Sequence, residues 1–167
     1  MTMAELGTRK TLDYLLQGTQ RNITSWGFQY LNYLAGDISQ EYQDRIKDQK
    51  PTEDLMKLVN QIVPNFFANH SEEQALDLLL EVDKLDCLIE HVNKDNVQRI
   101  VLYLTNCSLY CADQDEMSAC LKTSYDILIK EKQFVGALRI AIKINNLEYM
   151  KKCFELCTDR YTIPHTT

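Results

Sequence analysis

The sequence predicts an all-α fold, and three observations predict it. Apolar residues recur at helical spacing along almost the whole chain. Punctuation is sparse, with five Gly and three Pro in 167 residues, which leaves little material for the tight turns of a sheet protein. A phrase is also written twice. "ALDLLLEVDKLDCL" begins at Ala75 and "ALRIAIKINNLEYM" at Ala137, a spacing of 62 residues. In both copies Ala-Leu opens a nearly all-apolar turn, then come Val82 or Ile144, two polar residues, and Leu85 or Leu147 starting another apolar set. That pattern reads as helix, two-residue break, helix. A helix apolar nearly all round must be covered on several sides, which stacked hairpins provide. The period holds two hairpins of about 31 residues each, in the range of helical repeats. The expected architecture is an α-solenoid or rod-like bundle of stacked hairpins with eight or nine helices and no sheet. It forms a single helical-repeat domain over residues 1–167. Apolar residues at 45% and charged residues at 25% suit a folded chain with a real core.

Taken in order, "SWGFQYLNYLAGDISQEYQDRIK" predicts a long helix with Trp26, Tyr30 and Tyr33 on one side, weakened slightly by Gly27 and Gly36. The aromatic run is assigned to packing rather than to ligand stacking. A loop at "KDQKP" follows. Leu55, Leu58, Val59, Ile62, Val63 and Phe66 then draw an amphipathic stripe. Thr52 is its expected N-cap, ahead of Glu53 and Asp54, and Pro64 is expected to end or kink the helix near Val63. After the "NHS" loop, Ser71-Glu-Glu-Gln74 has capping-box spacing and predicts a helix from Glu72. Val97, Ile100, Val101, Leu104 and Cys107 mark another helical face. Met117, Leu121, Tyr125 and Leu128 mark the next, and Leu147, Met150, Phe154 and Cys157 the last.

The chemistry is sparse. A net charge of −6 with dispersed Lys and Arg argues against a nucleic-acid surface. Lys122, Lys130, Lys132, Lys143, Lys151 and Lys152 read as solvated helix faces. No stretch approaches the length of a membrane span, and "MTMAELGTRK" lacks the order of a secretory signal. The Asn-x-Ser/Thr triplets at Asn22, Asn69 and Asn106 are therefore read as chance matches in an intracellular, reducing compartment. Six cysteines, at 87, 107, 111, 120, 153 and 157, lack metal-ligand spacing and are read as buried structural thiols. His70 and His91 fall at predicted helix ends, and His165 in the tail. Glu53/Asp54, Glu72/Glu73 and Asp113/Asp115/Glu116 read as first-turn acids. Phosphate-binding, dinucleotide, zinc-protease and nucleophile-elbow motifs are all missing. No catalytic, cofactor-binding or metal-ligating residue is assigned, no cofactor is expected, and the chain is not expected to be an enzyme.

One resemblance supplies more. "SWGFQYLNYLAGDI", "LVNQIVPNFFANHSEEQALDLLLEVDKLDCL", "VLYLTNCSLY" and "ALRIAIKINNLEYM" together resemble the N-terminal helical region of the family of the second non-ATPase subunit of the proteasome regulatory particle, from about Leu12 to Cys157. The resemblance implies a cytoplasmic and nuclear, non-catalytic scaffold in the base of that particle. Such a scaffold contacts the ATPase ring and receives ubiquitin, ubiquitin-like shuttle receptors and a deubiquitinase. Family members are several times longer, with a charged segment in front and a ring of Gly- and Ala-rich repeats behind. The five Gly and the stop at Thr167 set the expectation that the ring lies outside this chain. The docking surfaces implied by the family belong to that ring, so no site residue carries over. Two rivals remain: a helical-repeat adaptor unrelated to the proteasome, with an open pocket at Trp26, Tyr30 and Tyr33, and a thiol enzyme, with an exposed low-pKa Cys beside a His.

Overall fold

The computed structural model describes residues 27–161 together with Leu12, Leu15, Leu16 and Ile23. Trp26, the Asn22 triplet, His165 and "MTMAELGTRK" lie outside the described residues. Within them, seven α-helices and one 3-10 helix follow one another with no strand, as the periodicity predicts. The chain divides into two compact units, one up to Lys84 and one from Leu85.

The first unit holds α1 (Phe28–Lys47), α2 (Glu53–Ala68) and α3 (Glu72–Glu81), each packed on the other two. α1 starts after Gly27, whose φ of +89° suits glycine and strains any residue with a Cβ. It buries Leu31, Leu34, Ala35 and Ile38. α2 buries all six residues of the predicted stripe, Leu55 through Phe66. Each such side chain contributes about 1.5–3 kcal/mol on leaving water. Phe28 meets Phe66 edge-on, with ring centroids 5.9 Å apart. Arg45 ties the end of α1 to the start of α2, donating to Glu41 at 2.8 Å, Asp54 at 2.7 Å and the Pro51 carbonyl at 3.0 Å.

Three local expectations in this unit are corrected. Pro64 does not end the helix, and α2 runs through it to Ala68. The carbonyl it leaves without an amide partner belongs to Asn60, on the exposed side, where such a loss costs least. Thr52 and Ser71 stand at their N-cap positions without a side-chain capping bond. Ser71 Oγ instead donates to the Asn69 carbonyl at 3.3 Å. On α1 the core face is the Leu31/Leu34/Ile38 stripe rather than the aromatic one, and Tyr33 is 72% exposed.

The second unit holds the 3-10 helix Leu85–His91, α4 (Val97–Tyr110), α5 (Gln114–Lys130), α6 (Phe134–Ile144) and α7 (Leu147–Tyr161). α5 is its centre, packed against α4, α6 and the 3-10 helix. It buries Cys120, Leu121, Ser124, Tyr125, Ile127 and Leu128. Asp113 caps it, accepting from the Asp115 amide at 3.3 Å. At its other end the Lys130 ammonium donates to the carbonyls of Ile89 and Val92, serving the end of the 3-10 helix.

The predicted face of α7 is a further correction. Leu147 is 70% and Phe154 60% exposed, and the buried residue among the described side chains is Cys153. Tyr125 dictates this registry, because its hydroxyl lies between the Tyr149 carbonyl and the Cys153 thiol. The two copies of the repeated phrase also differ in outcome. Both place a left-handed residue at the break, Asp83 with φ 51° and Asn145 with φ 56°. The first copy continues as a short 3-10 helix and the second as the fifteen-residue α7. Leu80 is partly covered, whereas its counterpart Ile142 is 57% exposed, so α6 is not covered all round.

Four helices end in the same way. After α1, α2, α3 and α5 the residues Gln49, His70, Asp83 and Lys132 adopt φ between 51° and 58°. In each case that residue's amide bonds back three positions and the next amide bonds back five, as in Lys132 to Ile129 at 3.0 Å and Gln133 to Leu128 at 2.8 Å. These are Schellman closures built without glycine.

Candidate functional site

The groups that could carry chemistry are mostly absorbed by helix ends and packing. Glu53 and Asp54, Glu72 and Glu73, and Asp115 and Glu116 occupy the first turns of α2, α3 and α5 as predicted. His70 is the left-handed residue after α2, and His91 closes the 3-10 helix. Among the described residues no group of three or more His, Cys, Asp or Glu is placed to hold a metal ion. No described helix is long and apolar enough to cross a membrane.

All six cysteines are free thiols. The expectation that they are buried holds for Cys120 and Cys153, whereas Cys87, Cys107, Cys111 and Cys157 are half-buried. Four lie at partly covered helix borders, where a small apolar group packs without being sealed. Burial, reinforced by the neighbouring thiols of Cys111 and Cys107 and by Glu116, pushes Cys120 up to about 12. A nucleophilic cysteine needs the opposite shift. Burial likewise pushes the Tyr125 hydroxyl up, with the Cys153 hydrogen bond adding to it.

A concave feature of the first unit is a groove of about 620 Å³ between α1 and α3. From α1 it is lined by Asn32, Ala35, Gly36, Ser39, Gln40 and Gln43. From α3 come Gln74, Asp77, Leu78, Leu80 and Glu81. The helical period aligns Asn32, Gly36, Gln40 and Gln43 on one ridge about 16 Å long. One end is fixed by Gln43, whose Nε2 donates to the Glu81 carbonyl at 2.8 Å. At the Asn32 end, the Oδ1 atom is buried without a hydrogen-bond partner. Gly36 lies in the middle of the ridge, and a Cβ built there would meet nothing within 4 Å. Sequence reasoning missed this groove and took Gly36 only as a weak point in the helix. The signal available was the small triad Ala35, Gly36 and Ser39 amid amide side chains.

Neither the groove nor the aromatic side of α1 suggests catalysis, and relatedness is the stronger guide. Residues 1–163 match the family described as the RPN1 N-terminal domain. The chain is 42% identical over 159 residues to the 26S proteasome non-ATPase regulatory subunit 2 homolog A of Arabidopsis thaliana, covering 95% of this chain and 18% of that protein. It is 39% identical over 155 residues to the 26S proteasome non-ATPase regulatory subunit 2 of Dictyostelium discoideum, covering 93% and 17%. With the 26S proteasome regulatory subunit rpn1 of Schizosaccharomyces pombe it shares 33% over 159 residues, covering 95% and 18%. The chain thus spans less than a fifth of the length of these curated relatives. The resemblance carried by "SWGFQYLNYLAGDI" and its companions is borne out: the chain belongs to the RPN1 N-terminal domain family.

Proposed function

We propose that this chain is the helical part of a non-catalytic scaffold subunit in the base of the proteasome regulatory particle. In this reading the subunit supports ATP-dependent degradation of ubiquitinated proteins. The observation that carries it is the match over 95% of the chain, at 42% identity, to a relative named as a non-ATPase regulatory subunit of the 26S proteasome. Packing supports a scaffold role, because the sequence's polar groups serve helix ends and its most buried thiol is poorly ionised. The whole protein would link the ATPase ring to ubiquitin, to ubiquitin-like shuttle receptors and to a deubiquitinase, with those receptors docking on a ring of repeats outside this chain. It would work in the cytoplasm and the nucleus. The test is affinity purification of the full-length protein from cells, read by mass spectrometry. Co-purification of the proteasomal ATPases is expected, and their consistent absence would sink the proposal. The 167-residue chain used as bait then reports whether this part holds a contact of its own.

A further inference from the structure

We propose that the groove between α1 and α3 is a docking surface for a basic helical segment of a partner protein. The inference stands on the chemistry of the groove and does not rest on the proteasomal reading. Its shape comes first. A ridge of three turns, about 16 Å long, matches the footprint of a short helix laid between two others. Gly36 is the second observation. A glycine inside a helix costs about 0.5–1 kcal/mol relative to alanine. Nothing within 4 Å of its missing Cβ accounts for it from inside the unit. With Ala35 and Ser39 beside it, it leaves a low saddle that another backbone can approach closely.

Charge fixes the kind of partner. The lining carries two carboxylates, Asp77 and Glu81, and no Lys or Arg. Glu81 is also the last residue of α3, whose final turn holds no basic side chain. The negative end of that helix dipole is therefore reinforced by an acid where a cation would ordinarily stand. At the far end, Asn32 Oδ1 is an acceptor sealed from solvent without a donor. A cationic donor is wanted at the Glu81 end of the groove, and the amides of Asn32, Gln40, Gln43 and Gln74 line the rest. Lysine and arginine side chains on one face of a helix supply such donors on long apolar stems.

Two labelled, alanine-rich helical peptides of about 16 residues serve as probes. One carries lysine at every fourth position and the other glutamate at the same positions. Binding to the 167-residue chain is followed by fluorescence anisotropy and by amide NMR shifts. The lysine peptide is expected to bind, to move the amide signals of Asn32, Gly36, Gln40 and Gln43, and to lose affinity by about tenfold in Glu81→Lys and in Gly36→Leu. A Cβ at position 36 meets nothing within 4 Å, so the circular-dichroism melt of Gly36→Leu should stay close to that of the parent. Equal binding of both peptides, no binding of either, or lysine-peptide binding unchanged in Gly36→Leu would overturn the proposal. Spermine binding as tightly as the lysine peptide, with the same dependence on Gly36, would also overturn it, since charge alone would then suffice.

Discussion

The Tyr125 hydroxyl donates to the Tyr149 carbonyl at 3.0 Å, while the two rings meet edge-on with centroids 4.7 Å apart. One fully buried residue in the middle of α5 thus sets where α7 begins. The Cys153 thiol, 3.5 Å from the same hydroxyl, completes a polar chain inside the second unit. Tyr125→Phe keeps the ring contact and removes the donor from a carbonyl in a largely apolar site. A loss of about 1–2 kcal/mol in urea unfolding is expected. An unchanged midpoint would show that the hydroxyl contributes nothing to holding α7.

Acid should weaken the first unit through Asp54. Burial pushes this carboxyl upward, but the Arg45 hydrogen bond, the Leu55 amide and the Arg45 charge together hold it below its ordinary value. A folded-state pKa below the unfolded one gives stability that is whole above about pH 5 and lost as pH falls through about 4 and lower. Asp54 is substantially solvated, so screening limits the pair to about 0.5–1 kcal/mol. Stability measured between pH 6 and 3 (about three units, spanning the carboxylate range) should fall less steeply in Arg45→Gln than in the parent.

Pro64 offers a gain rather than a loss. It sits on the exposed face of α2 and interrupts the ladder at Asn60. Pro64→Ala restores that bond and removes the ring clash, at the expense of a freer unfolded chain. We expect the unit to gain about 1–2 kcal/mol. A lower melting temperature would mean that the freer unfolded chain outweighs the restored bond.

Thiol chemistry separates the cysteines by cover. Cys120, held near 12, and buried Cys153 should alkylate slowest in the native chain. Cys87, Cys107, Cys111 and Cys157, all half-buried, should react first. Peptide mapping after timed iodoacetamide treatment reads the order directly. Fast labelling of Cys120 would contradict its burial.

Much of this architecture is written in single-residue spacing, and the exceptions have physical causes. The stripe of α2 was legible in full because periodicity, first-turn acids and burial all agree at Leu55 through Phe66. The face of α7 was misread because spacing reveals that an apolar stripe exists but not whether a neighbour covers it. Leu147 and Phe154 obey the period yet stand in solvent, while the Tyr125 hydroxyl selects Cys153. Pro64 was expected to end or kink the helix near Val63. The helix continues to Ala68 because the carbonyl without an amide partner belongs to exposed Asn60, which spacing alone does not reveal. The groove was illegible for a related reason. Its ridge is local to α1, but its carboxylates come from α3, some forty residues later, and only packing brings them together.

The connectors hold one more consequence, for thermal adaptation. Five helices close on a left-handed residue that is never glycine, four of them in the Schellman pattern. A side chain in that conformation costs about 1 kcal/mol, and glycine's greater freedom when unfolded offsets part of any gain from removing it. Gln49, His70 and Lys132 are exposed, so glycine at each would disturb no core contact. Through substitutions at its corners the chain would thus gain or lose stability by roughly a few tenths of a kcal/mol at a time. Its helical faces, and whatever they bind, would be left as they are.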